Sequence, residues 1–311
     1  MSLDVLSTLE HDPDVGEGTI LFGGSGFIGP YILANYPKII SVGRSPCPTP
    51  NRHIHVDSLA DLSALEGLEF DKVIYLIGNS NNHRMVQEVI PPGGPSAFDY
   101  NTIPVIQVLE QLKTRKLKKF IHLSSVLIYD EKITAMPVSE ESPIDPYRNR
   151  YVMSRYLGEE LLKFYRNWLP IINVRISNTY GPTRLERYNL INVLARKLAS
   201  ERRAEIWTTV PSRDFLYVED AAHAIADLLH ADYNDTVLLG SGEATSIADV
   251  VEILRNITGL PIISLDKPVS GPMRFQADIS RLQSLIEWAP RVGLEEGIRR
   301  TWNFELPRKA A

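Results

Sequence analysis

Residues 19–29 read Thr-Ile-Leu-Phe-Gly-Gly-Ser-Gly-Phe-Ile-Gly, and this run constrains the fold more than any other part of the chain. A short apolar strand, Ile20-Leu21-Phe22, leads directly into glycines at 23, 26 and 29, and an apolar stretch through Leu33 continues as a helix. Glycine lets the backbone turn tightly here and come close to a diphosphate, while a glycine inside the helix lets it pack on the strand. The diphosphate would rest against N–H groups at the helix N-terminus, where the dipole favours negative charge. The plainer reading of three glycines is a tight strand–helix turn with no ligand.

Strand-like apolar runs then alternate with helix-length segments, as in a parallel sheet covered by helices on both faces. Strands are expected near 19–22, 38–42, 53–56, 71–77, 119–124 and 171–176, with helices near 27–35, 97–115, 150–168 and 189–200. Pro104 interrupts the second of these helices and is expected to kink it. Past residue 176, short strands at 205–207, 236–239 and 262–265 mix with helices at 218–231, 246–258, 280–287 and 295–304. The fold class is therefore α/β: a doubly wound, Rossmann-like parallel sheet with a smaller interleaved α/β domain. The expected division is an N-terminal extension over 1–18, a sheet domain over 19–176 plus about 213–240, and a second domain over about 177–212 plus 241–311. Proline and glycine clusters at 46–50 and 91–95 mark surface loops.

At 311 residues, 44% hydrophobic and 23% charged, the chain can bury a real core. A formal charge of −5 gives no reason to expect nucleic acid or an anionic membrane as partner. The single cysteine, Cys47, cannot form an internal disulfide, so nothing indicates an oxidising compartment. No apolar run approaches the roughly 18–20 residues that span a bilayer. Residues 1–18 are acidic and polar, without the basic start and apolar core of a signal peptide, which makes cytoplasm the default location. His53 and His55 alternate as on a strand with no third ligand beside them, so no metal is expected.

The spacing Gly-x-x-Gly-x-x-Gly, with Gly26-Phe27-Ile28-Gly29, resembles the extended short-chain dehydrogenase/reductases, and further segments extend the likeness in order. Ser124-Ser125-Val126-Leu127-Ile128-Tyr129 is similar to the Ser-Ser-x-x-Val-Tyr-Gly segment of sugar-nucleotide epimerases, whose active Ser or Thr lies four residues before the Tyr, the place of Ser125. Tyr151-Val152-Met153-Ser154-Arg155, followed by Glu159, stands where the family has Tyr-x-x-x-Lys. On a helix the tyrosine and the basic residue share one face, and a neighbouring cation stabilises a tyrosinate, making it a usable base. Arginine supplies that charge but is bulkier and forked, and is not equivalent to an ammonium. A second alignment, keeping the family's Pro-Tyr at Pro146-Tyr147, would make Tyr147 the base. Arg175 to Pro182 resembles Arg-x-x-Asn-x-Tyr-Gly-Pro, which gives Asn178 a place at a sugar diphosphate. Arg213 to Asp220 resembles Arg-Asp-Phe-x-Tyr-Val-x-Asp, with Arg213 clasping ribose and phosphate oxygens and the aspartate capping a helix start. Arg274, ahead of Ala277-Asp278-Ile279-Ser280, is similar to the family's phosphate-facing arginine. The resemblance runs over roughly residues 19–305 and implies a sugar-nucleotide epimerase/dehydratase-type enzyme.

Read with that resemblance, Gly23, Gly26, Phe27, Ile28 and Gly29 line a nicotinamide dinucleotide, joined by Asp57 at the adenine, Gly78, Tyr151 and Arg155. Ile77-Gly78-Asn79 stands where the family usually has alanines, and Gly78 keeps the small size that leaves room for the cofactor. The polar run Asn79-Ser80-Asn81-Asn82 either lines the site or solvates a loop. Just past the second strand, Arg44 suits a 2′-phosphate better than a bare ribose, which tilts the choice between NAD and NADP toward NADP; a plain loop arginine is the competing reading. Ser125, Tyr151 and Arg155 form the expected catalytic set, and Asn178, Arg213 and Arg274 the substrate set. Val126 and Leu127 cannot exchange protons where a 4,6-dehydratase has Asp-Glu, so dehydration is disfavoured. What remains is hydride chemistry at C4, as 4-epimerase or 4-ketoreductase. The alternatives are a catalytically impaired dinucleotide-binding homologue, for which Arg155 argues, or a reductase of a non-sugar ketone, against which Arg213 and Arg274 weigh. Related enzymes commonly pair through the helices around 97–115 and 150–168, so the resemblance implies a homodimer.

Overall fold

The computed structural model describes residues 16–47, 49–79, 95–185, 189–269 and 271–307. Its strands are β1 (Thr19–Phe22), β2 (Ile40–Gly43), β3 (His53–His55), β4 (Lys72–Tyr75), β5 (Lys119–Ser125), β6 (Ile171–Ile176), β7 (Asn178–Tyr180), β8 (Ala204–Ile206), β9 (Ser212–Arg213), β10 (Phe215–Tyr217), β11 (Thr236–Leu239), β12 (Thr245–Ser246) and β13 (Ile262–Ser264). The helices are α1 (Gly29–Asn35), α2 (Ala97–Asn101), α3 (Ile103–Leu112), α4 (Arg150–Tyr165), α5 (Leu190–Glu201), α6 (Val218–Asp227), α7 (Ile247–Thr258), α8 (Ser280–Leu285) and α9 (Leu294–Glu305). Seven strands form one sheet in the order β11-β6-β5-β4-β1-β2-β3, with every neighbouring pair parallel. The chain runs outward from β1 to β3, returns to the other side of β1 as β4, and continues outward again. Ligands of such sheets settle at the carboxyl ends of the strands flanking this reversal.

Alternation along the strands divides the core in two. Leu21, Ile74, Ile121 and Ile172 face Tyr31, Ile32 and Leu33 of α1 and Ala221 and Ile225 of α6. Ile20, Phe22, Val73, Tyr75 and Phe120 face Val105, Val108 and Leu109 of α3 and Leu162 and Tyr165 of α4. Burial of each such side chain contributes about 1.5–3 kcal/mol, so packing on the sheet, more than helix propensity, orders these short helices. A third apolar cluster lies apart from both faces. It joins Ile191, Leu194 and Leu198 of α5 to Val250 and Leu254 of α7, Ile298 and Trp302 of α9, and Phe215 and Tyr217 of β10.

The expected elements appear with local adjustments. The helix expected over 97–115 is two helices, α2 and α3, divided at Thr102 rather than merely bent at Pro104. Proline occupies the first turn of α3, where its missing N–H leaves no helical bond unmade. The segment 218–231 is α6 followed by a 3-10 turn over Leu228–His230. Strands β7, β9, β10 and β12 had no counterpart in the sequence reading; two or three residues long, they carry too little alternation to stand out. Most of the N-terminal extension, Ser80 to Asn82 of the polar run, Pro48 and residues 91–94 of the loop clusters lie outside the described residues.

Candidate active site at the carboxyl ends of β1, β4 and β5

The glycine turn after β1 is built by close backbone approach. Gly23 has φ +90°, a left-handed conformation that a side chain would strain. A Cβ on Gly29 would come 2.6 Å from the Gly23 carbonyl oxygen and 2.7 Å from the Gly24 Cα, so α1 can meet the strand only with hydrogen there. The Gly26 N–H donates to the Gly23 oxygen at 3.0 Å, and Phe27 and Ile28 are buried. Tyr31 of α1 donates its hydroxyl to the Pro182 carbonyl at 2.6 Å, which ties this turn to the segment after β7.

Ser125 ends β5 as the N-cap of a 3-10 turn over Val126–Ile128, and its Oγ accepts the Leu127 N–H at 3.2 Å. The hydroxyl proton is left for another acceptor. Tyr151, in the first turn of α4, is 2% exposed and shares a small buried cluster with Ile128 of that 3-10 turn and with Val152. Helix α4 begins where it does because Asn149 caps it, accepting the Val152 N–H at 3.0 Å. Arg155, one turn on, is buried with its Cζ 5.6 Å from the centroid of the Tyr151 ring, and its Nη1 donates to the Leu123 carbonyl at 3.0 Å. The structure therefore gathers Ser125 with Tyr151 and Arg155, which follow it by 26 and 30 positions in the chain, at one end of the sheet. Tyr147 is 83% exposed, which favours Tyr151 over it as the buried phenol of the site.

Several positioning groups were not singled out in the sequence. Arg148 donates from Nη2 to the Leu127 carbonyl and from Nη1 to the Tyr129 carbonyl at 3.1 Å, and its Nε lies 3.1 Å from a Glu131 carboxylate oxygen. One guanidinium thus brackets the loop after Ser125 to the segment before Tyr151. Asn101 accepts the Asn79 N–H at 2.9 Å and donates to the Ser154 hydroxyl at 3.0 Å, which donates to the Tyr151 carbonyl at 2.8 Å. That chain of bonds joins the end of β4 to α4. Glu159 pairs across to Arg175 of β6 (Nη2 to Oε2, 2.8 Å) rather than serving Arg155, and Arg175 also donates to the Tyr129 hydroxyl at 2.8 Å.

Two of the expected cofactor residues follow the carboxyl ends of β2 and β3, on the same edge of the parallel sheet as the glycine turn. Arg44 and Asp57 lie at the exposed ends of β2 and β3; Asp57 meets His55 Nε2 at 2.9 Å. His53 turns the other way, to the Ser41 hydroxyl at 3.3 Å. Among the described residues no three His, Cys, Asp or Glu side chains cluster as metal ligands would.

On the substrate side, Asn178 and Arg213 line one cavity of about 130 Å³ with Tyr180, Asn189, Leu190, Phe215 and Ile247. Burial holds the Arg213 guanidinium below its ordinary pKa, with Glu131 opposing. Arg274 is exposed, yet it bridges in parallel to Ser212, the neighbour of Arg213. Neither aspartate of the 213–220 segment caps α6. Asp214 accepts from Ser177, Ser241, Gly242 and Ala277, and Asp220 from the N–H groups of Arg291 and Val292. Both tie distant segments to this wall, because α6 follows β10 with its start already buried.

Residues 19–240 match the NAD dependent epimerase/dehydratase family. The chain belongs to that family. It is an enzyme of the NAD-dependent epimerase/dehydratase type, and a relative from Methanocaldococcus jannaschii described as a putative UDP-glucose 4-epimerase is 29% identical over 92% of this chain and 97% of its own. Two solved structures share the fold of this epimerase/dehydratase. The UDP-glucuronic acid 4-epimerase from Bacillus cereus, in complex with UDP-glucuronic acid and NAD, superposes with a TM-score of 0.77 at 24% identity, covering 92% of this chain and 98% of that one. RMD from Pseudomonas aeruginosa, complexed with NADPH, does so equally, with a TM-score of 0.77, 24% identity and the same coverage.

Proposed function

We propose that this epimerase/dehydratase moves a hydride between a nicotinamide dinucleotide and C4 of a sugar nucleotide, acting as a 4-epimerase or a 4-ketoreductase. The observation that carries this reading is that Ser125, at the end of β5, and Tyr151, packed on the 3-10 turn that follows it, are both buried, with the Arg155 guanidinium 5.6 Å from the Tyr151 ring centroid. The site fits the dinucleotide: at Gly29 a side chain would strike backbone, so the turn after β1 stays bare, and the two sheet faces leave its carboxyl edge to a ligand. Gly23, Gly26, Phe27, Ile28 and Gly29 would hold the diphosphate, and Gly78, Tyr151 and Arg155 the nicotinamide end. When bound, the nicotinamide ring takes up or delivers the hydride.

The chain's own groups handle the proton. Tyr151 removes it from the C4 hydroxyl on oxidation or returns it on reduction, and the Ser125 hydroxyl donates to the same oxygen as it changes between alcohol and ketone. The buried Arg155 guanidinium, one helical turn on, supplies the positive charge beside the Tyr151 ring. Asn178, Arg213 and Arg274 would meet the sugar diphosphate, with Phe215, Leu190 and Ile247 as apolar wall for the rest of the nucleotide. Val126 and Leu127 offer no acid or base for loss of water. Arg44, exposed beyond β2, supports a preference for NADP. We also infer two units, the sheet domain and a smaller one around α5, α7 and α9, and a homodimer joined through α2–α3 and α4. No helix among the described residues is long and apolar enough to cross a membrane.

Denaturing the purified protein and identifying any released dinucleotide by absorbance and mass tests the reading. Stoichiometric NAD supports a self-recycling epimerase and overturns the inference from Arg44. An empty protein that binds NADPH more tightly than NADH supports a ketoreductase. Binding of neither dinucleotide overturns the proposal.

A further inference from the structure

Two departures from the family pattern meet in space. Gly78 stands where related chains usually carry alanine, and Arg155 where they carry lysine. A Cβ on Gly78 would lie 2.6 Å from Arg155 Nη2, 2.8 Å from Nη1 and 3.0 Å from Cζ. These are its three nearest atoms, so the guanidinium occupies the space that a side chain at 78 would take. Among the described residues, no backbone atom comes nearer to this position than that guanidinium. Its φ lies outside the left-handed region, and the residue is exposed rather than wedged against other backbone.

Two further contacts fix the guanidinium. Nη1 donates to the Leu123 carbonyl at the end of β5, and the plane sits over the Tyr151 ring of α4. A lysine ammonium is smaller than this planar fork and would leave room for a methyl group at 78. The two departures therefore compensate each other.

We propose that Gly78 is a positioning residue for Arg155: its missing side chain admits the guanidinium to the end of β4 and so keeps the charge on Tyr151. The proposal rests on the reading of Tyr151 as the base and adds a residue that sets where its cation lies. The atoms that a methyl group would displace are the far end of a flexible side chain, so Gly78→Ala moves the guanidinium without unfolding the chain.

The test follows Tyr151 ionisation by ultraviolet difference absorbance of the tyrosinate, subtracting the Tyr151→Phe spectrum, in the wild type, Gly78→Ala, Arg155→Lys and the double variant. Gly78→Ala is expected to raise the titration midpoint, the direction in which withdrawing a nearby cation acts. In the double variant the added methyl group should have little further effect, leaving the midpoint near that of Arg155→Lys alone. An unchanged midpoint in Gly78→Ala overturns the proposal, as does a full additional shift in the double variant. A thermal midpoint kept within a few degrees shows that the fold is intact. If Tyr151→Phe turns over as fast as wild type, the catalytic reading falls, while the titration still decides whether Gly78 places the guanidinium.

Discussion

His122, on β5 beneath the site, shows what burial does to a single titratable side chain. It is 1% exposed, its ring stacks on Tyr75 at 5.9 Å, and its Nδ1 lies 2.9 Å from Asn173 Oδ1. The Asn173 amide nitrogen faces the Thr236 hydroxyl at 3.4 Å, which turns the amide oxygen toward the imidazole and places the proton on Nδ1. Burial pushes the imidazole down to about 4, and the Arg155 cation adds to the effect. The folded state thus refuses a proton that the unfolded chain accepts near pH 6.5. The associated stability is fully present above that value and is lost as pH falls toward 4. Between pH 7.5 and pH 5 the loss from this group is about 2 kcal/mol. Denaturant titrations at the two pH values should show His122→Gln losing less than wild type by about that amount. Equal losses would mean that His122 is not held neutral. At the same scale, Tyr151→Phe is expected to slow the proposed hydride exchange with a sugar nucleotide at least about 100-fold, because general acid–base catalysis is worth that much. Steady-state rates measure it.

At the scale of the element, α1 and α4 each do two jobs. α1 has no side-chain cap and only seven residues, so its place depends on Tyr31, Ile32 and Leu33 in the core and on the close glycine contact with the preceding turn. Gly29→Ala drives a methyl group into backbone that has no rotamer to yield. It is expected to cost about 1–3 kcal/mol, as overpacked sites do, and to weaken dinucleotide binding at the same time. Denaturant midpoints and a dinucleotide titration read the two effects separately; an undisturbed midpoint would show that the strand–helix contact is looser than described. α4 turns Tyr151, Arg155 and Glu159, spaced four apart, toward the sheet. Leu157, Phe164 and Trp168, spaced seven and four apart, project outward from the same helix and its C-terminal turn at 38%, 57% and 50% exposure. Helical periodicity made the inward set legible in the sequence. The bracket from Arg148 and the Asn101–Ser154 bond were not legible, because each joins groups with no shared period.

For the whole molecule, the outward apolar face of α4 lies with Tyr100 and Ile103 at the junction of α2 and α3, both exposed. Exposed apolar side chains on neighbouring helices suit a second copy of the chain. Sedimentation of the wild type should give a dimer, and Phe164→Glu with Trp168→Glu should give a folded monomer; a monomeric wild type would refute the pairing. By itself the sequence determined the order of the seven sheet strands and the helices between them and the glycine turn, and it pointed to Ser125 and Tyr151, because these depend on spacing within a few turns of chain. The 236–239 strand falls where expected to the residue. Only the tertiary structure decided that Glu159 serves Arg175, that Asp214 and Asp220 tie segments far along the chain, and that Gly78 makes way for Arg155. Those contacts depend on which strands become neighbours, and a parallel sheet makes neighbours of residues separated by whole crossovers.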